Sequence, residues 1–203
     1  MMISLPIKLV YEDDLSEAVM KKLLNAFPKK YLIAASYNKH GFAAIKRDLK
    51  GYNHAARFTP FFVLTDLDQN ECPPSLIREW MIFDKQPQLI FRVAVREVES
   101  WVMADRYGFA KFAAVAIKHI PDRPDDIHDS KAALFEVIKK SKIKDLKEDI
   151  LPHYPGDRIG PNYNGSLCGF VIQSWNVQRA MQGSPSLKRA FDHLQNFQKQ
   201  GKK

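Results

Sequence analysis

The sequence has 203 residues, of which 45% are hydrophobic and 27% charged, as in an ordinary globular protein with one well-buried core. No apolar run approaches the roughly 18 residues that cross a bilayer, and the first residues lack the basic and apolar regions of a secretion signal, so we expect neither a membrane protein nor a secreted one. The net charge of +8 favours a polyanionic partner, nucleic acid first.

The cysteine positions exclude two structural roles, and the lysine positions indicate a possible contact surface. Cys72 and Cys168 are too few and too far apart for a disulfide framework or a zinc knuckle, so we interpret them as reduced thiols of a cytoplasmic protein. Five lysines fall within residues 139–147 and could contact a polyanion, although a solvated helix face is the simpler explanation.

The chain begins with a predicted strand and helix. Residues 6–11 predict the first strand, and Glu12 follows at its carboxyl end. Apolar residues then recur at helical spacing over residues 19–27. Asp14 and Glu17 fit a capping box at the start of this helix, which is a purely structural explanation of Glu17.

A buried strand ending in two carboxylates follows. Residues 31–36 predict a second strand and residues 42–52 a helix; the third strand, residues 61–68, is apolar at first and ends in Asp66 and Asp68. Because strand side chains alternate, both carboxylates would project on the same side, where a hard divalent cation could hold them together. The alternative is a turn, since Asp68 and the polar and proline residues after it are typical of a loop before a helix.

The next elements complete the predicted sheet. A helix is expected from Pro73, a fourth strand over residues 89–95, and another helix from Val98, so that Glu97 and Glu99 lie near a strand end or a helix start. Strands that alternate with helices predict an α/β protein with a mostly parallel four-stranded sheet and helices on both faces.

Acidic residues fall at several predicted strand ends. Ligands of such sheets gather outside the carboxyl ends of the strands. The residues that converge there are Glu12, Asp66, Asp68 and the Glu97/Glu99 pair. Carboxylates of this kind supply the oxygen ligands that Mg²⁺ prefers, so the pattern predicts a metal site.

The second half of the chain is predicted to be helical. Asp129 or Ser130 is expected to cap one helix, and turn residues predict a long loop over residues 152–169. The predicted helices cover residues 109–120, 130–140, 142–151, 170–175 and 186–198. We therefore expect an α/β domain over residues 1–108 and a helical extension over residues 109–203 packed on it.

A strand followed by Glu12, a helix, and a later strand that ends in Asp66-Leu67-Asp68 resemble the TOPRIM fold of topoisomerases, primases and nucleases of the overcoming-lysogenization-defect type. The TOPRIM pattern is a glutamate after the first strand and Asp-x-Asp after the third. Small stand-alone bacterial TOPRIM-like proteins of unassigned function, often encoded beside an ATPase in phage-defence pairs, look most similar. The matching segments are Tyr11-Glu12-Asp13-Asp14-Leu15-Ser16-Glu17, Thr65-Asp66-Leu67-Asp68, the stretch over residues 96–105, Asp129-Ser130-Lys131, Ile159-Gly160-Pro161-Asn162-Tyr163-Asn164 and Ser184-Pro185-Ser186-Leu187.

The resemblance implies divalent-metal phosphodiester chemistry with Mg²⁺ or Mn²⁺. It assigns Glu12, Asp66 and Asp68 as the core metal ligands and catalytic carboxylates, with Glu99 as a further ligand and Glu97 as the second choice. For Glu99 the alternative is ordinary negative charge at a helix N-terminus. Lys131 would stabilise charge on the scissile phosphate, or would simply be solvated.

Three hypotheses follow from the sequence. The first is a metal-dependent nuclease acting on DNA or RNA, the effector partner of an ATPase in bacterial phage defence. The second is a non-catalytic module that binds an ATPase or nucleic acid. It is favoured by Asp13, which stands where the TOPRIM signature has glycine. The third is a phosphotransfer enzyme or phosphatase acting on a small substrate, which a parallel α/β sheet also permits.

Overall fold

The computed structural model describes residues 4–198, which build an α/β protein around a four-stranded sheet. The strands are β1 (Leu5–Tyr11), β2 (Tyr31–Asn38), β3 (Phe61–Asp66) and β4 (Leu89–Ala94). They are parallel, in the order β2-β1-β3-β4. The predicted α/β class and the mostly parallel sheet are confirmed.

The two central strands explain where the acidic residues emerge. Phe62, Val63 and Leu64 of β3 are fully buried, as expected for a parallel strand covered on both faces. Val10 of β1 lies beside Val63 in the register of the two strands. Because β1 and β3 run in the same direction, the residues that follow them emerge at the same edge of the sheet.

Helices make up most of the remaining chain. None of those formed by residues 4–198 is both long enough and apolar enough to cross a bilayer. Two short 3₁₀ turns, Ile117–His119 and Pro124–Asp126, also occur. The α-helices are α1 (Asp14–Asn25), α2 (Phe42–Ala55), α3 (Pro73–Trp80), α4 (Val98–Ala104), α5 (Arg106–Phe112), α6 (Ser130–Lys139), α7 (Lys144–Ile150), α8 (Tyr163–Gln173), α9 (Val177–Gly183) and α10 (Pro185–Asn196).

Side-chain contacts of β4 show that helices cover both faces of the sheet. The ring of Phe91 packs against Trp80 of α3, with centroids 6.0 Å apart. Arg92 is the next residue along the strand and therefore points to the opposite face. There its Nη2 donates a hydrogen bond to the backbone carbonyl of Arg189 in α10, at 2.6 Å.

The last turn of α10 is capped by side chains at the start of β2. The final carbonyls of a helix lack partners within the helix. Lys30 Nζ donates to the carbonyls of Leu194 and Gln195 at 2.9 Å and 2.5 Å, and the Tyr31 hydroxyl donates to the carbonyl of Leu194 at 2.5 Å. These three bonds connect residues more than 160 positions apart and satisfy the end of α10.

The chain divides into two compact units. One contains the residues up to Ala94 together with those from Arg189 onward, and the other is Val95–Lys188. The first unit therefore holds the whole sheet and the later part of α10. The expected division into residues 1–108 and 109–203 is not tested by these units and stays a prediction.

Within the unit Val95–Lys188, one buried carboxylate organises the starts of two helices. Asp105 is completely buried and accepts hydrogen bonds from the Gly108 N–H at 3.0 Å and the Asn176 N–H at 2.8 Å. The guanidinium of Arg179 donates two further bonds, from Nε at 2.6 Å and Nη2 at 2.8 Å. A Cβ at Gly108 would lie 2.3 Å from Asp105 Oδ2, so a larger residue here would have to displace the carboxylate.

Several local predictions are wrong. The helix expected over residues 109–120 ends at Phe112, because Ala114 adopts a left-handed conformation with φ of 49°. The helix cap expected at Asp14 is Asp13, whose carboxylate accepts from the Ser16 N–H at 2.8 Å. Glu17 instead pairs with Lys21 one turn on, at 2.9 Å.

The loop expected over residues 152–169 is shorter, because α8 begins at Tyr163. A contact distant in sequence stabilises this start: the Asp149 carboxylate accepts from Asn162 Nδ2 at 3.1 Å and from Ser166 Oγ at 2.7 Å. The Asn-Gly pair at residues 164–165, which predicted a turn, lies inside the first turn of α8.

Candidate functional site

The structure brings Glu12 to the end of the neighbouring strand β3. Glu12 Oε1 accepts a hydrogen bond from the Thr65 hydroxyl at 2.5 Å and another from the Asp66 N–H at 2.9 Å. Thr65 is buried at the end of β3, so its hydroxyl is fixed by the sheet. Residues more than 50 positions apart in sequence therefore meet at one edge of the sheet, as the strand pattern predicts.

The surroundings of Glu12 disfavour its negative charge. Burial raises the pKa of the Glu12 carboxyl, and the charges of Asp68 and Asp13 raise it further. The hydrogen bonds from Thr65 and the Asp66 N–H act in the opposite direction but do not cancel the rise. A cation at this position would relieve the repulsion among the carboxylates.

Asp68 is a turn residue. β3 ends at Asp66, Leu67 still donates its N–H to the Ala94 carbonyl at 2.9 Å, and Asp68 then has φ of 48°. Asp is one of the few residues that tolerate this left-handed conformation. The alternation that would place Asp66 and Asp68 on the same side of a strand therefore stops before Asp68, and the turn interpretation holds for this residue. Its charge nevertheless acts on Glu12.

Carboxylate oxygens are the donor type that Mg²⁺ prefers. Across residues 4–198, no three His, Cys, Asp or Glu side chains form a group that could hold a metal ion by themselves. Mg²⁺ in phosphoryl-transfer sites commonly takes one or two carboxylates and completes its shell with water and substrate phosphate. Both hydrogen bonds to Glu12 engage Oε1, so Oε2 is the oxygen that Glu12 could offer to a cation, and the metal-ligand roles of Glu12, Asp66 and Asp68 stay predictions.

The other predicted site residues form a cluster in the unit Val95–Lys188. Glu99 is buried, and its Oε1 accepts a hydrogen bond from the Tyr163 hydroxyl at 2.6 Å. Lys131 Nζ lies 3.6 Å from Glu99 Oε1 and 3.7 Å from Glu97 Oε1. The Lys131 N–H also donates to Glu97 Oε2 at 2.9 Å, near the start of α6. Lys131 is therefore an ion-pair partner of two carboxylates. The metal-ligand role of Glu99 stays a prediction.

Glu97 can exchange a proton near neutral pH. Burial and the charge of Glu99 raise the pKa of the Glu97 carboxyl to about 7, and Asp129 adds to the rise. The charge and the N–H of Lys131 partly oppose it. A carboxyl with a pKa in this range suits general acid or base work.

Two contributors were not assigned by sequence reasoning. Thr65 orients Glu12, and Tyr163 holds Glu99. A hydroxyl inside an otherwise apolar buried strand was the available signal for Thr65. Tyr163 belongs to a matched segment, but its partner is 64 positions away and no local pattern reveals it.

We expect Tyr163→Phe to lower the free energy of unfolding by about 1–3 kcal/mol, because it removes a hydrogen-bond donor from a buried carboxylate. Urea unfolding measures this change. Tyr154→Phe is the matched control, since Tyr154 is 74% exposed and should change stability little. Equal stability of the two variants would contradict the role assigned to Tyr163.

No protein-family model matches this chain, and neither does any curated protein or any solved structure. The resemblance to TOPRIM proteins therefore rests on the matching segments alone and stays a prediction.

Proposed function

We propose that this chain is a metal-dependent phosphodiesterase that cleaves DNA or RNA, using Mg²⁺ or Mn²⁺. The observation that carries the proposal is the contact of Glu12 with Thr65 and the Asp66 N–H at the carboxyl edge of adjacent parallel strands. This is the edge at which parallel α/β proteins bind their ligands. The net charge of +8 suits a polyanionic substrate.

In this proposal Glu12, Asp66 and Asp68 hold the metal. The bound metal would supply charge neutralisation at the phosphate and a lowered pKa for the attacking water. Thr65 and the Asp66 N–H fix the rotamer of Glu12, so that its remaining oxygen is presented without further ordering. Burial and the neighbouring carboxylates make the ionised form of Glu12 unfavourable in the metal-free protein, and a bound cation would stabilise that form.

The roles proposed for Lys131 and Glu99 have less support, because both residues already contact other side chains. The resemblance assigns Lys131 to stabilise developing charge and Glu99 to bind metal. Lys131 already faces two carboxylates, and Glu99 is buried against Tyr163. Any contribution from Lys131 would therefore be weakened by its ion pairs.

A non-catalytic binding module is the second candidate. Asp13 occupies the position of the TOPRIM glycine, and its side chain is engaged as the N-cap of α1. Together with the lack of a preformed three-ligand group among residues 4–198, this favours a module that binds a partner such as an ATPase. In either case we place the protein in the cytoplasm, in keeping with reduced cysteines at positions 72 and 168.

Incubation of purified protein with labelled DNA, RNA and tRNA in Mg²⁺ or Mn²⁺ tests the proposal. We expect cleavage by the wild type that is lost in Asp66→Ala/Asp68→Ala and on addition of EDTA. Glu71→Ala is the control, because Glu71 is an exposed carboxylate shortly after Asp68. Cleavage shared by wild type and double variant would indicate a contaminant, and no cleavage of any substrate would favour the binding module.

A further inference from the structure

A cluster of basic residues lies on the sheet face covered by α10. Arg92 projects from β4 to that face, and its guanidinium is fixed by the hydrogen bond to the Arg189 carbonyl at 2.6 Å. Arg92 is partly buried, in a strand whose other residues are buried. An arginine in such a strand is costly to desolvate unless a negative group accompanies it.

Positive charge accumulates around Arg92. Burial lowers the pKa of the Arg92 guanidinium, and the charge of Arg189 lowers it further. Burial and then Arg92 lower the pKa of Lys85 in the same way. His193 of α10 has its pKa lowered to about 4, first by burial and then by the charges of Arg92 and Lys85. Lys85 and Arg189 thus each repel Arg92, whereas His193 is neutral near pH 7.

Among residues 4–198, neither Lys85 nor Arg92 nor Arg189 forms an ion pair with an acidic side chain. Arginines that are fully buried in proteins are almost always paired. A concentration of uncompensated cations around a fixed guanidinium is the arrangement that binds phosphate.

A cavity adjoins the cluster at His193. Its volume is about 380 Å³, within the range of small-molecule sites, which begins at roughly 300 Å³. Asp192 contributes a carboxylate to the lining, which opposes an anion, while Asn196 offers an amide donor. The lining residues are Pro87, Asp192, His193, Asn196, Phe197 and Gln198.

We propose that Lys85, Arg92, Arg189 and His193 form a binding site for a phosphate group of a nucleic-acid backbone. Arg92 provides the fixed guanidinium, Lys85 and Arg189 add charge from exposed positions, and His193 lines the cavity beside them. The identification of the phosphate as part of a nucleic acid rests on the proposed function. The binding of phosphate itself does not.

Binding without metal tests this site separately from cleavage. Fluorescence anisotropy with labelled single-stranded DNA and RNA in EDTA, over a series of salt concentrations, compares Lys85→Gln/Arg92→Gln with Lys50→Gln/Lys118→Gln. The control pair removes the same charge from exposed positions. We expect the cluster pair to weaken binding about tenfold more than the control and to reduce the salt dependence by about one phosphate contact per residue removed.

Further variants keep the test independent of folding. Arg189→Gln changes an exposed side chain and should weaken binding in the same direction, whereas Asp192→Asn should strengthen it by removing a negative charge from the cavity wall. Bound inorganic phosphate should raise the pKa of His193 in the wild type, and NMR signals of the His193 ring measure this pKa at increasing phosphate concentrations. Equal oligonucleotide affinity of the cluster and control pairs would overturn the nucleic-acid assignment, and an unchanged His193 signal would overturn the phosphate site.

Cleavage results do not decide these outcomes. If the wild type binds oligonucleotides through the cluster but cleaves nothing in Mg²⁺ or Mn²⁺, the proposed nuclease is rejected and the phosphate site stands. If it cleaves and the cluster pair binds oligonucleotides like the control pair, the nuclease stands and the assignment of the bound phosphate to a nucleic acid is rejected.

Discussion

Replacing Glu12 by glutamine is expected to abolish nucleic-acid cleavage while leaving the fold at least as stable as the wild type near neutral pH. Glutamine keeps the oxygen that accepts from Thr65 and the Asp66 N–H but carries no charge. Activity should fall by about 100-fold or more, since even groups that only orient metal ligands contribute about 10–100-fold.

The pH dependence of stability follows from the sign of the pKa shift. The folded-state pKa of Glu12 is raised above its ordinary value of 4.5. Its contribution to stability is therefore fully present below the unfolded-state pKa and is lost as pH rises through the folded-state pKa. Glutamine does not ionise, so the stability of Glu12→Gln relative to wild type should increase as the pH rises from the ordinary carboxyl pKa through the raised pKa of Glu12.

Urea unfolding at several pH values, together with the cleavage assay, measures both effects. Glu71→Gln is the matched control, because it removes an exposed charge that has no place in the site. The prediction fails if Glu12→Gln cleaves like the wild type, or if its relative stability falls as the pH rises. A residue that lowers stability and is needed for activity is typical of a functional site.

Asp105→Asn is expected to produce the largest loss of stability, about 3 kcal/mol. The Asp105 carboxylate is completely buried and accepts four hydrogen bonds, two of them from the Arg179 guanidinium. An amide cannot accept the paired bonds from Arg179, because one of its two polar atoms is itself a donor. Arg179 is 42% exposed, so water would partly replace the lost partner and the cost should stay near the lower end for buried pairs.

A double-mutant cycle separates the ion pair from the other bonds of Asp105. Free energies of unfolding of Asp105→Asn, Arg179→Gln and the combined variant should show a coupling of about 1 kcal/mol or more. Asp126→Asn is the control, since Asp126 forms an exposed pair with Arg123 and should cost less than about 0.5 kcal/mol. A change below about 1 kcal/mol for Asp105→Asn would show that the carboxylate does not organise the two helix starts.

Sequence reasoning located the sheet because its strands are short, apolar and separated by helical periodicity. Glu12 and Asp66 could be brought together in advance, since carboxyl ends of neighbouring parallel strands meet at one edge. Asp68 could not be placed, because alternation applies only within the strand and the chain leaves it after Asp66. The cap at Asp13 differs by one residue from the one expected, an offset that local sequence rarely resolves.

Contacts between distant residues were beyond such reasoning. Nothing near Tyr163 in the sequence indicates Glu99 as its partner, and the start of α8 depends on Asp149. The basic cluster is likewise invisible in the linear sequence, because Lys85, Arg92, Arg189 and His193 are collected by tertiary packing.

The caps that Lys30 and Tyr31 provide for α10 have a consequence for synthesis on the ribosome. The sheet-containing unit includes the part of α10 that starts at Arg189, so a nascent chain carries a complete sheet without that part of α10 while residues 95–188 are translated. Phe27 cannot make its ring contact with Phe191, at a centroid distance of 4.7 Å in the folded protein, until Phe191 has been synthesised. A fragment that stops at residue 108 would remain in that uncovered state, exposing apolar surface that chaperones recognise.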